Sequence, residues 1–222
     1  MGEKTKIETF ESTWNPVQGC RHGCDYCYAR SIATRFKGSK AYPDGFEPTF
    51  RRELLDLPQK WKRPRRIFVC SMADLFGGWV PDEWIEEVFA ACLKAPQHTY
   101  FFLTKNPGRY MDLKEKGTLL DLPNFWYGTT VTKRSDSFVW FDRFANWFLS
   151  IEPLQEPLGK YMYDRKPGWV IIGAETGNRK GKVIPEKEWI DFLVEEFKDV
   201  PVYMKPSLLP VMGEENMRRE LP

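Results

Sequence analysis

The sequence predicts an α/β fold, a partial (β/α)6-type barrel with parallel strands. Three observations predict it. Short apolar, β-rich runs alternate with helical patterns, which implies parallel strands joined by right-handed crossovers. Six or seven such units fit into 222 residues, fewer than the eight of a closed barrel of about 250 residues. Nearly every run also ends in a group able to ionise or hydrogen-bond, where β/α architectures keep their function. A doubly wound sheet shares this alternation and is the fallback.

The first run is Thr9 to Trp14, which leads into a cysteine-containing loop. Tyr28, Ile32 and Phe36 then recur every four residues and predict a helix, stopped by Gly38. Ile67-Phe-Val-Cys-Ser71 is the next strand. The helix after it opens at Pro81-Asp-Glu, with acidic residues suited to its N-terminal dipole, and its stripe is Trp84, Ile85, Val88, Phe89 and Cys92. Thr99 to Thr104 follows, with Pro107 starting a short helix; then come Phe125 to Val131 and Trp147 to Ile151. Trp169 to Gly173 is the most continuously apolar run, so it reads as buried on both faces. A helix from Pro185 presents Trp189, Ile190, Leu193, Val194 and Phe197, and Val200 to Met204 is a last, shorter strand. The whole chain, 1–222, reads as a single domain, with a core of about 8–205 and a tail of 206–222.

Hydrophobic residues at 42% and aromatics at 15% argue for a packed core and against disorder. The net charge of +2 says little, so an electrostatic argument rests on where charges lie. No apolar run approaches the roughly 18–20 residues that span a bilayer, and no membrane association is expected. Met1-Gly2 invites a myristoylation check, but Lys6 stands where that motif needs Ser or Thr. No stretch near the N-terminus reads as a secretion signal, so a cytoplasmic location is expected, where thiols stay reduced.

Three of the five cysteines, Cys20, Cys24 and Cys27, fall within eight residues as C-x3-C-x2-C. Disulfides fit an odd trio badly. Zinc commonly takes four ligands in a closed tetrahedron, and the nearby fourth candidate, His22, sits between two of the cysteines on a tight loop. An iron–sulfur cluster is served by thiolates on a short loop, and three thiolates on four irons leave one iron open to a small molecule. Gly19 and Gly23 suit such a loop. Cys70 and Cys92 read as small buried apolar residues.

The cysteine pattern, with aromatic Tyr26 before Cys27, resembles the signature of the radical S-adenosylmethionine (SAM) superfamily. More narrowly, Thr13-Trp-Asn-Pro, Cys20 to Tyr28, Ser71-Met-Ala-Asp-Leu-Phe76, Leu103-Thr-Lys105, Ser150-Ile-Glu-Pro-Leu154 and Gly173-Ala-Glu-Thr-Gly177 resemble a phage-associated three-cysteine branch of unassigned function. The likeness runs from about residue 10 to 205. It implies a radical-SAM-like core, a six-unit three-quarter barrel. It also implies a [4Fe-4S] cluster on Cys20, Cys24 and Cys27 whose open iron chelates SAM. Reductive cleavage would give methionine and a 5′-deoxyadenosyl radical. A reductant such as a flavodoxin or ferredoxin is implied, and a protein partner encoded nearby is conceivable.

The strand ends supply the remaining candidates: Asn15, Ser71, Asp74, Lys105, Thr129, Thr130, Glu152, Glu175 and Lys205. SAM's ammonium and sulfonium want carboxylates, which suits Asp74 or Glu175; its ribose suits Ser71, Thr129 and Thr130. Gly173 would let adenine approach the backbone, the run Ile171 to Glu175 loosely resembles the superfamily's adenine-contacting strand, and Tyr26 would contact adenine through its backbone. Lys105, Glu152 and Lys205 remain for substrate and catalysis.

Lys60-Trp-Lys-Arg-Pro-Arg-Arg66 invites a nucleic-acid reading, yet it enters a strand at the end away from the site and reads as a solvated connector. Arg109, Lys133, Arg134, Arg179, Lys180, Lys182, Lys105 and Lys205 follow strand ends and favour an anionic substrate, a nucleic acid, nucleotide or other anionic small molecule. The competing class is a zinc-stabilised nucleic-acid-binding module without catalysis.

Overall fold

Among the described residues seven parallel strands, β1 (Ser12–Trp14), β4 (Arg66–Val69), β5 (Thr99–Thr104), β6 (Phe125–Thr130), β7 (Trp147–Ile151), β8 (Trp169–Ile172) and β9 (Val202–Met204), follow one another in that order in a sheet, and β2 (Val17–Gln18) and β3 (Thr49–Phe50) form a two-stranded ladder beside the cysteine loop. The structure is a computed structural model that describes residue 5 and residues 7–136, 144–160 and 166–222. Met1-Gly2 and Lys6, weighed above for lipidation, lie outside the described residues. The chain divides into two compact units, Met1–Trp126 and Tyr127–Pro222.

In the first unit, β1 (Ser12–Trp14) pairs with β4 (Arg66–Val69), placing Trp14 opposite Val69. β4 pairs in parallel with β5 (Thr99–Thr104). β1 is shorter than its apolar run because Phe10 N–H donates to Ile7 O and closes a turn before it. Phe10 still enters the core, stacked 4.9 Å from Phe68. Between these strands run α1 (Tyr28–Arg35), α2 (Leu57–Lys60) and α3 (Asp82–Leu93). Acidic Asp82 and Glu83 occupy the first turn of α3, where they oppose the helix dipole. Its inward face is Ile85, Val88 and Phe89, all buried, each contributing about 1.5–3 kcal/mol of transfer free energy. Phe76, Phe89, Phe102 and Tyr110 interlock at ring angles that favour edge-to-face packing. α4 (Gly108–Glu115) follows β5, with Pro107 at its N-cap.

β6 (Phe125–Thr130) starts beside β5, where Tyr100 N–H donates to Asn124 O. In the second unit β6 pairs with β7 (Trp147–Ile151), β7 with β8 (Trp169–Ile172), and β8 with β9 (Val202–Met204), all in parallel. Every residue of β7 and β8 is buried, which is what a continuously apolar run predicts for a strand covered on both faces. α5 (Lys187–Glu196) buries Ile190 and Leu193. β9 begins two residues later than its apolar run: Val200 N–H still caps the end of α5 on Phe197 O, and Pro201 has no N–H to donate. The tail is ordered: α6 (Leu209–Met212) leads to Arg218, whose carbonyl accepts from Met204 N–H, while Glu220 N–H donates to Val202 O. These bonds cover the outer edge of β9, a row of groups otherwise open to pairing. No helix among the described residues is long and apolar enough to cross a membrane.

Candidate functional site

In the first unit the site is built on a loop held at several backbone points. Short β2 (Val17–Gln18) and β3 (Thr49–Phe50) form an antiparallel clamp with Val17 opposite Phe50, too brief for its alternation to be read in sequence. Gly19 N–H donates to Met72 O and Cys20 N–H to Phe46 O. Gly19 has φ +86°, and a Cβ there would stand 2.2 Å from Glu47 O, so this position excludes any side chain. Cys20, Cys24 and Cys27 are free and half-buried, whereas Cys70 and Cys92 are buried. Burial pushes the Cys20 thiol up to about 11, opposed by a hydrogen bond from the His22 backbone and reinforced by the charges of Asp74, Cys24 and Cys27. Cys27 caps α1, its Sγ accepting from Arg30 N–H at 3.3 Å. Among the described residues no three His, Cys, Asp or Glu side chains form a group that could hold a metal ion.

His22 bridges this loop to the strand ends. Its Nε2 lies 2.7 Å from Asp74 Oδ2 and its ring stands edge-on to Trp79 at 4.8 Å. Asp74 is buried and also accepts from Phe76 N–H, Thr104 Oγ1–H and Lys105 N–H. One carboxylate therefore ties the cysteine loop, the segment after β4 and the end of β5 together. Four donors thus hold the Asp74 carboxylate in place. Nearby, Asn15 Oδ1 accepts from Ser71 Oγ–H and Met72 N–H, and Tyr28 O–H donates to Ser71 O. Lys105 Nζ lies 5.3 Å over the Tyr26 ring, a cation–π contact between two sequence-selected residues.

In the second unit Glu152, Gly173 and Lys205 stand at the ends of β7, β8 and β9. Glu152 Oε2 pairs with Lys205 Nζ at 2.6 Å. A Cβ on Gly173 would lie 3.0 Å from Glu152 Oε1. Gly173 is thus small because the neighbouring carboxylate passes across it. Glu175 is buried with both oxygens on Arg179, at 2.6 and 2.7 Å. This bidentate geometry is the strong form of the pair. Thr129 is fully buried within β6 and Thr130 nearly so at its end. Ser207, which no motif marks, donates no sequence signal, yet its Oγ accepts from Ala174 N–H.

The basic residues divide. Arg109 pairs with Asp82, Arg134 donates to Pro157 O, Arg179 holds Glu175, Lys182 donates to Gly177 O and Lys205 holds Glu152. Lys133 and Lys180 are exposed. In the Lys60–Arg66 segment, Arg65 lies over Trp61 at 4.7 Å and donates to Ser12 Oγ, and Arg66 pairs with Glu11. That cluster braces the start of β4, at the end of the strand away from the cysteine loop.

Parallel strands with polar residues at their C-terminal ends, and three free thiols on the loop after the first strand, define a mixed α/β chain whose candidate site is the cysteine loop. The chain belongs to the family described as "Protein of unknown function (DUF5131)", whose model matches residues 4–205. No curated protein and no solved structure matches it.

Proposed function

We propose that this chain is a radical SAM enzyme with a partial β/α-barrel core, holding a [4Fe-4S] cluster on Cys20, Cys24 and Cys27. The observation that carries this reading is the presence of three free, half-buried thiols on one short loop pinned through Gly19 and Cys20. When bound, the cluster would supply the electron that splits SAM into methionine and a 5′-deoxyadenosyl radical.

The chain's own residues do the rest. Asp74 and His22 fix the loop, so the three sulfurs are presented by a preorganised backbone. Beside the loop, Ser71 offers a hydroxyl to the ribose and Tyr26 its backbone to adenine. Lys105, Glu152 and Lys205 serve an anionic substrate, a nucleotide or nucleic acid. A cytoplasmic setting keeps the thiols reduced, and a flavodoxin or ferredoxin is the natural donor.

The test is anaerobic incubation of the iron-loaded chain with SAM and dithionite, followed by chromatography for 5′-deoxyadenosine. Its release is the expected result. Iron-loaded protein that leaves SAM intact, or yields only a transferred methyl group, overturns the reading.

A further inference from the structure

The helix that starts at Cys27 turns its apolar stripe outward. Tyr28 is 51%, Ile32 39% and Phe36 51% exposed, and Ala29 and Ala33 are the buried residues of α1. These three positions share one face at i, i+4 and i+8. They make up three of the seven exposed large hydrophobic side chains among the described residues, so the stripe is a concentration and not a scatter. The segment Tyr28 to Pro43 carries Arg30, Arg35, Lys37 and Lys40 and no Asp or Glu, with Asp25 and Asp44 flanking it in the chain.

We propose that this face of α1 docks an acidic, one-electron donor protein of the flavodoxin class. The inference rests on the cluster reading above. A helix rises 1.5 Å per residue, so a protein seated on Ile32 lies about 7.5 Å along the axis from ligand Cys27. The donor loses one electron and the cluster gains it; no bond changes. An apolar centre with a basic rim matches the anatomy of a transient interface to an acidic partner.

Nucleic acid fits this face less well. Stacking needs open ring faces along a groove. Here Arg35 lies 5.7 Å over Phe36, Tyr28 is tethered through its hydroxyl to Ser71 O, and aliphatic Ile32 occupies the middle of the stripe.

The reconstituted full chain is mixed in a stopped-flow with photoreduced flavodoxin and compared with Arg35→Glu/Lys37→Glu and with Ile32→Asp. Iron per chain and the rate of reduction by dithionite are measured on each. The expected result is a fall of about tenfold in the flavodoxin rate, with iron content and dithionite rate unchanged. An unchanged flavodoxin rate in both variants overturns the proposal, as does a wild-type chain that dithionite reduces and flavodoxin does not. Loss of iron in both variants also overturns it, since α1 would then be serving the fold. If the variants instead lose binding of a fluorescent single-stranded oligonucleotide and keep the flavodoxin rate, the face belongs to nucleic acid. A wild-type chain that takes up no iron fails the cluster reading first, so the two failures are told apart.

Discussion

His22 Nε2 and Asp74 Oδ2 are 2.7 Å apart, and this contact joins the middle of the cysteine loop to the ends of two strands. A carboxylate only accepts, so Nε2 carries the proton. Asp74→Asn keeps the volume but turns an NH2 group toward donors, at a buried site where each charge-assisted bond contributes about 1.5–3 kcal/mol. The expected outcome is a loss of about 2–4 kcal/mol in urea unfolding, together with less iron per chain after reconstitution. An unchanged unfolding midpoint with full iron would mean the network does not hold the loop.

Gly173 faces the Glu152–Lys205 pair with no spare room. Gly173→Ala pushes a methyl group against the Glu152 carboxylate, and overpacking of this kind costs about 1–3 kcal/mol. Lys205→Met removes the charge and leaves Glu152 half-exposed, which costs about 1 kcal/mol or less in a pair open to solvent. Both variants are expected to lose 5′-deoxyadenosine formation coupled to substrate. Lys205→Met is expected to keep its iron. Full turnover in Lys205→Met would remove the pair from the substrate site.

His98 gives the fold a pH dependence. Burial holds its imidazole below the usual histidine range, opposed by its bond to Pro58 O and aided by the Arg65 charge. Nε2 donates to that carbonyl at 2.9 Å. A depressed pKa means the neutral ring stabilises the fold above about pH 6.5, and that contribution is lost as pH falls through the lower folded value. Thermal unfolding of wild type and His98→Gln at pH 7.5 and 5 should show the wild type's advantage narrowing at the lower pH. A gap that holds constant across that range would show the ring is not kept neutral.

The strands were legible because each is a bounded apolar run: Thr99–Thr104 and Trp147–Ile151 occupy the residues their runs predict. Ends were less legible where local hydrogen bonds decide, as with Ile7 and Phe10 before β1 or Pro201 before β9. The period of Tyr28, Ile32 and Phe36 located α1 correctly, yet small Ala29 and Ala33 face inward; periodicity marks a face without saying which way it turns. The cysteine loop after β1, and the positions of Lys105, Glu152 and Lys205 directly after β5, β7 and β9, could be read from the chain. The engagement of Asp74 with His22, and of Glu175 with Arg179, could not, because partner choice depends on side-chain reach after folding.

The most direct measurement counts iron in five single cysteine variants after anaerobic reconstitution. Alanine at Cys20, Cys24 or Cys27 should each abolish uptake of about four irons per chain. Alanine at Cys70 or Cys92, both buried, should keep the iron and cost only packing. One colourless zinc ion per chain in the wild type, or iron retained by the first three variants, would contradict the account.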